Sequence, residues 1–205
     1  MKVHYQISKY NENGLVRRYR KLLSRSFVKQ FLQILYSKMY TSISVLDIDN
    51  VARTLSLSSF PGGAAISAQG YCIYPLAGVT YFQSPAGYGV PVLNGIALGD
   101  STTAVEITDA SILSLIAEGT STDQLEYLGC YATDVVVSAP SASFTLERFM
   151  RNSSGGTVTI NEVGIYVYCE NVGKGFMIVR DLVSPGVDVD DGEYLKVVYT
   201  FTITV

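Results

Sequence analysis

The chain has no tryptophan, one histidine and three cysteines, and only 16% of its residues are charged. With His4 as the sole imidazole, near a terminus expected to be mobile, a Ser/His/Asp triad, a Cys/His pair and a multi-histidine metal site are out of reach. Cys72, Cys130 and Cys169 are far apart, each among apolar or aromatic neighbours (YCIY, GCYA, VYCE). That is the pattern of reduced core thiols made in a cytosolic environment rather than of a disulfide framework. The stretch MKVHYQISKYNENG lacks the apolar core of a secretory leader. In the apolar part of the N-terminal region the longest uncharged run, Gln30 to Ser37, is far short of the roughly 20 residues that span a bilayer.

Chemical motifs are equally scarce. VGKG at 172–175 lies between two strand-like runs rather than ahead of a helix, so it is no phosphate loop. DVDDGE at 188–193 resembles a calcium loop, but its glycine falls one position early and no bidentate Glu follows at the right distance. A hairpin turn at Asp191-Gly192 is the reading. The remaining acids cluster at turns, where solvated surface explains them better than general acid/base work. No cofactor and no enzymatic activity are expected.

What is present is asymmetry. Residues 1–40 hold nine Lys/Arg and one acid, net +8, while residues 41–205 hold six and seventeen, net −11. Such a basic arm on an acidic body suits copies attracting one another head to tail, or another acidic surface. Arg17, Lys21, Arg25 and Lys29 recur every four residues with Arg18 beside them, and Val16, Tyr19, Leu23, Phe27, Phe31 and Ile34 fall opposite. From Val28 onward Leu32, Leu35, Tyr36 and Met39 widen the apolar stripe. With Asn13 as N-cap and TSISV at 41–45 as the stop, the spacing predicts one helix about 40 Å long. The expected subunit interface is Arg17, Arg18, Lys21, Arg25, Lys29, Phe31, Leu35 and Tyr36 against an acidic neighbour. A solvated face ranks next, then nucleic acid, which lacks a base-reading constellation here, and last a membrane surface.

From Thr41 the pattern changes to strands and turns. DVVVSAP, ASFTLERFM, TVTINEVGIYVYCE, GFMIVRDLV and YLKVVYTFTITV are strand-like runs, with turns at SSGG (153–156), VGKG and DDG (190–192). ITDASILSLIAEG at 107–119 reads as a short helix or an irregular loop. The fold class expected is mainly β: an antiparallel β-sandwich, jelly-roll or Ig-like, over residues 41–205, preceded by an N-terminal arm, residues 1–40, that carries one long basic amphipathic α-helix. Glu162 sits in an apolar strand and needs a cation, so it is expected to pair with Arg148 or Arg180. Gly164, mid-strand, marks a bulge or a close backbone approach. Tyr71, Tyr74, Tyr81 and Tyr88, in a Gly/Pro-rich stretch, are candidates for a glycan or a neighbouring subunit, or pack on their own domain.

The order of residues over about 95–205 resembles a module of tailed-bacteriophage virion structural proteins. The matching positions are Gly99, Thr103, Ala104, Arg148, Asn152, Gly155, Gly156, Glu162, Val163, Gly164, Tyr166, Arg180, Asp181, Gly192, Tyr199 and Thr200. The resemblance implies a particle component of head, neck or tail, made in the host cytoplasm. Its partners would be copies of itself and other virion proteins, in a symmetric ring or shell. The alternative is a receptor- or glycan-binding module of a fibre or adhesin.

Overall fold

The computed structural model describes residues 1–19, 22–24, 27–39, 43–55, 95–169 and 174–205. Among them the chain is mainly β, and every strand pairing is antiparallel. The N-terminus is not a long helix. Within residues 2–24 lie three strands, β1 (Lys2–Asn11), β2 (Gly14–Arg18) and β3 (Leu22–Ser24), and among the described residues only Lys29–Met39 is helical, as α1.

The correction has a physical cause. Val3, Tyr5 and Ile7 alternate into the core at 1%, 4% and 2% exposure, which commits β1 to a sheet. Asn13 caps nothing helical. Its amide donates to Asn11 Oδ1 at 2.9 Å inside a tight turn, and Gly14 follows at φ +111°, a left-handed conformation suited to glycine. The chain therefore folds back on β1, pairing Arg18 with Ser8 and, further on, Ser24 with Val3. These non-local ladders override the four-residue periodicity. Val16 and Leu23, on the expected apolar side of a helix, are 48% and 43% exposed instead. His4 lies within the sheet, opposite Thr200 on one side and Leu23 on the other, not on a mobile end.

The remaining elements are β4 (Ile43–Leu46), β5 (Ala52–Leu55), β6 (Gly95–Gly99), β7 (Glu126–Ala132) and β8 (Val136–Ser138), then β9 (Ser141–Arg151), β10 (Val158–Cys169), β11 (Lys174–Val189) and β12 (Tyr194–Thr204). A seven-stranded sheet runs β2-β1-β12-β9-β7, with β3 also on β1 and β8 also on β9. A three-stranded sheet runs β11-β10-β6, and β4-β5 is a separate hairpin. The two larger sheets share one hydrophobic cluster, to which Ile7, Met150 and Val197 contribute from one sheet and Ile96, Val163 and Val179 from the other. The helix α1 packs on β4 and β11, with Ile34 in a small cluster of Val45, Val167 and Phe176.

Candidate functional site

Burial on β10 dictates the first candidate. Glu162, Gly164 and Tyr166 alternate along the strand, and all three serve the irregular segment at 100–125. A Cβ on Gly164 would come within 3.1 Å of the Ile112 side chain, and one on Gly99 within 2.6 Å of both Ile112 Cγ2 and the Ser114 carbonyl. The two glycines thus let this segment lie directly on the sheet. Its amides are received by strand side chains: Ile112 N donates to the Tyr166 hydroxyl at 2.7 Å, and Ser114 N to Glu162 Oε1 at 3.0 Å.

Arg180 on β11 completes this arrangement with no solvent contact. Its Nε donates to Glu162 Oε2 at 2.7 Å, and its Nη1 to Asp109 Oδ2 at 2.8 Å and the Ala104 carbonyl at 3.2 Å. Its Nη2 donates to the Thr103 carbonyl at 3.0 Å. Arg148, on the other sheet, works separately. It donates to the Leu128 carbonyl at 2.9 Å and the Ile96 carbonyl at 3.0 Å, tying β7 and β9 to β6. Its guanidinium carbon lies 4.8 Å from the Tyr127 ring centroid. Burial pulls its pKa down and pushes the neighbouring Cys130 thiol up.

The layers are joined by further buried groups. The Tyr199 hydroxyl donates to Asp181 Oδ2 at 3.1 Å, the Tyr5 hydroxyl to the Leu182 carbonyl at 2.7 Å, and the Tyr127 hydroxyl to the Ile116 carbonyl at 2.9 Å. Asn152 Nδ2 donates to the Gly156 and Val189 carbonyls, both at 2.7 Å, and holds the turn before β10. Many of the positions that carry the virion-protein resemblance therefore act inside the fold. Their carboxylates and guanidinium groups bond to one another, to the Tyr199 hydroxyl and to backbone, so the cluster braces the fold from within. Among the described residues no group of three or more His, Cys, Asp or Glu is gathered to hold a metal ion.

The basic residues do not form one stripe. Arg17 is exposed on β2, its guanidinium carbon 4.8 Å from the Tyr19 ring centroid, and Arg18 lies opposite Ser8. Lys29 opens α1, where its amide donates to the Ile107 carbonyl at 2.9 Å, and the Phe31 ring centroid is 4.5 Å from that of Phe27. Leu35 and Tyr36 fall within α1, but their side chains are outside the description. Lys21, Arg25, Tyr71, Tyr74, Tyr81 and Tyr88 lie outside the described residues.

A surface that sequence reasoning passed over lies at one end of the seven-stranded sheet. On β12 the core-facing residues Leu195, Val197 and Tyr199 are fully buried, but Ile203 on the same face is 54% exposed. Phe201 stacks on Phe144 at 4.7 Å with planes 5° apart, and beyond them Val137, Ala142 and Ile203 form one cross-strand row over β8, β9 and β12. Val135, Val136 and Val137 are 64%, 61% and 75% exposed. An apolar groove of about 230 Å³ is lined by Val137, Ala139, Pro140, Ser141, Ala142, Ile203 and Val205. Residues 135–146 and 197–205 contain no charge. The signal was present in DVVVSAP, where three consecutive valines put apolar groups on both faces of a strand.

No protein-family model, curated protein or solved structure matches the chain.

Proposed function

We propose that the chain is a structural subunit of a tailed-phage particle that works by associating with further copies of itself. The observation that carries this reading is the uncharged apolar wing formed by β8, the start of β9 and the end of β12. A sheet face that continues its core pattern into solvent is a surface waiting for cover, because soluble domains keep contiguous exposed apolar patches small. A charge-free wing on an acidic body favours a surface of its own kind over a charged ligand. The resemblance over residues 95–205 supports a virion location, and the brace around Arg180 supports a mechanical role. It fixes a long irregular segment against the sheet with hydrogen bonds and an ion pair.

The test is a double substitution, Val137→Lys with Ile203→Lys. Both residues are largely exposed, so the melting temperature should stay within a few degrees, while self-association measured by sedimentation should weaken at least tenfold. Unchanged association and unchanged incorporation into particles would overturn the reading.

A further inference from the structure

β8 pairs with β9 alone, and among the described residues no strand lies beyond it. Ser138 and Ser141 face one another across the two-residue turn Ala139-Pro140, so they close the hairpin as a hydrogen-bonded pair. Bonded and non-bonded pairs alternate along an antiparallel ladder. At the next pair, Val137 with Ala142, the N–H and C=O of Val137 therefore point away from β9. They stand at an open edge, on a residue that is 75% exposed. Exposed edges are ordinarily blunted by a lysine, an inward-pointing charge, a proline or a bulge. β8 has none of these: residues 135–138 are uncharged, Pro140 lies in the turn, and the pairing with β9 runs without a register shift.

We infer that two copies of this chain join at β8 in an antiparallel two-fold contact centred on Val137. The N–H of each Val137 donates to the carbonyl of the other, and Val136 of each copy lies opposite Ser138 of its mate. The row of Ile203, Ala142 and Val137 meets its own copy at the axis, so two seven-stranded sheets become one continuous sheet. Charge selects a second copy as the occupant. Residues 135–146 and 197–205 hold none, so a charged segment laid along β8 would find no counter-charge, whereas another β8 brings no charge to be matched. The acid that precedes the strand, Asp134, falls opposite Pro140 of the other copy. The two Asp134 residues are then about six residues apart along the strands, some 20 Å. That is well beyond the Debye length of about 8 Å at physiological salt, so their repulsion is screened. The same surface serves both copies, and the contact closes as a dimer. This inference rests on the subunit reading above and specifies how the contact is made: edge to edge through backbone, rather than one wing packed on the face of another.

Two sets of variants of the full chain test it. Val137→Pro keeps an apolar side chain but removes the outward N–H, which the hairpin with β9 does not use. It should keep its circular dichroism and weaken dimerisation in sedimentation by at least about tenfold, since two symmetry-related hydrogen bonds are lost together. Packing of wing on wing would tolerate the proline. Val137→Asp and Val137→Lys should each weaken dimerisation similarly, because each sets like charges opposite one another at the axis, and an equimolar mixture of the two should dimerise again as a mixed pair. Should the proline unfold the hairpin, the mixture decides alone. Folded Val137→Pro that dimerises like the parent, or a mixture that stays monomeric, would overturn the edge contact. Either result, combined with disruption by Val137→Lys/Ile203→Lys, would leave the subunit reading standing. Failure of the parent chain to associate at any concentration would overturn both.

Discussion

Glu162 and Arg180 exchange all their hydration for one another and for a set of backbone groups. Removing two such ions from water costs several kcal/mol each, and the cost is offset only when every lone pair and proton finds a partner. Arg180 comes close to that demand, with four of its five N–H groups on Glu162, Asp109 and the carbonyls of Thr103 and Ala104. Glu162→Gln leaves an acceptor for the Ser114 amide but removes the charge that faces Arg180 Nε. Its expected cost is about 3 kcal/mol in chemical denaturation, the scale for breaking a buried pair. Asp49→Asn is the contrasting control, because its partner Lys174 and its own carboxylate are 35% and 53% exposed; the loss there should be about 0.5 kcal/mol or less. Equal effects at the two sites would mean that the buried pair is no brace.

At the scale of elements, the segment at 100–125 has little regular structure of its own and is shaped by the sheet beneath it. Gly99→Ala should show this, since the new Cβ would fall within 2.6 Å of the Ser114 backbone and force the segment off the strand, at about 1–3 kcal/mol. Gly156→Ala meets nothing within 4 Å and should be neutral or stabilise by about 0.5 kcal/mol, through the unfolded chain. Thermal denaturation of both variants checks the pair. The same dependence on distant groups explains what the sequence could and could not tell. The runs that became β9 to β12 are legible because each alternates over many residues between recognisable turns. Glu162's need for a cation is legible from its apolar neighbours, but the choice between Arg148 and Arg180 is not, because the two arginines lie on different sheets. The N-terminal strands are illegible because Arg17, Lys21, Arg25 and Lys29 mimic a helical stripe, while the ladder that decides the matter comes from β1 and, behind it, β12. The wing escapes notice for a related reason: alternation in YTFTITV looks the same whether or not a second layer covers it.

For the whole molecule, tyrosine hydroxyls are among the polar ties of an apolar interior, and this makes the fold sensitive to base. Burial, with the Asp181 charge behind it, pushes Tyr5 up to about 12, and burial pushes Tyr127, Tyr166 and Tyr199 well above the ordinary value. A group whose folded pKa is raised contributes stability that is complete below its unfolded pKa, about 10 for tyrosine. As pH rises past that point the unfolded chain releases protons that the folded chain keeps. Each such tyrosine then removes up to about 1.4 kcal/mol per pH unit until its own folded pKa is reached. Four acting together would exhaust a typical net stability of about 5–15 kcal/mol within a few pH units. The chain should therefore unfold cooperatively above about pH 10, with a block of tyrosinates appearing by absorbance at the same pH at which circular dichroism is lost. Smooth ionisation of all fifteen tyrosines around their ordinary value, with the sheet signal intact, would show that the hydroxyls are not held between the layers.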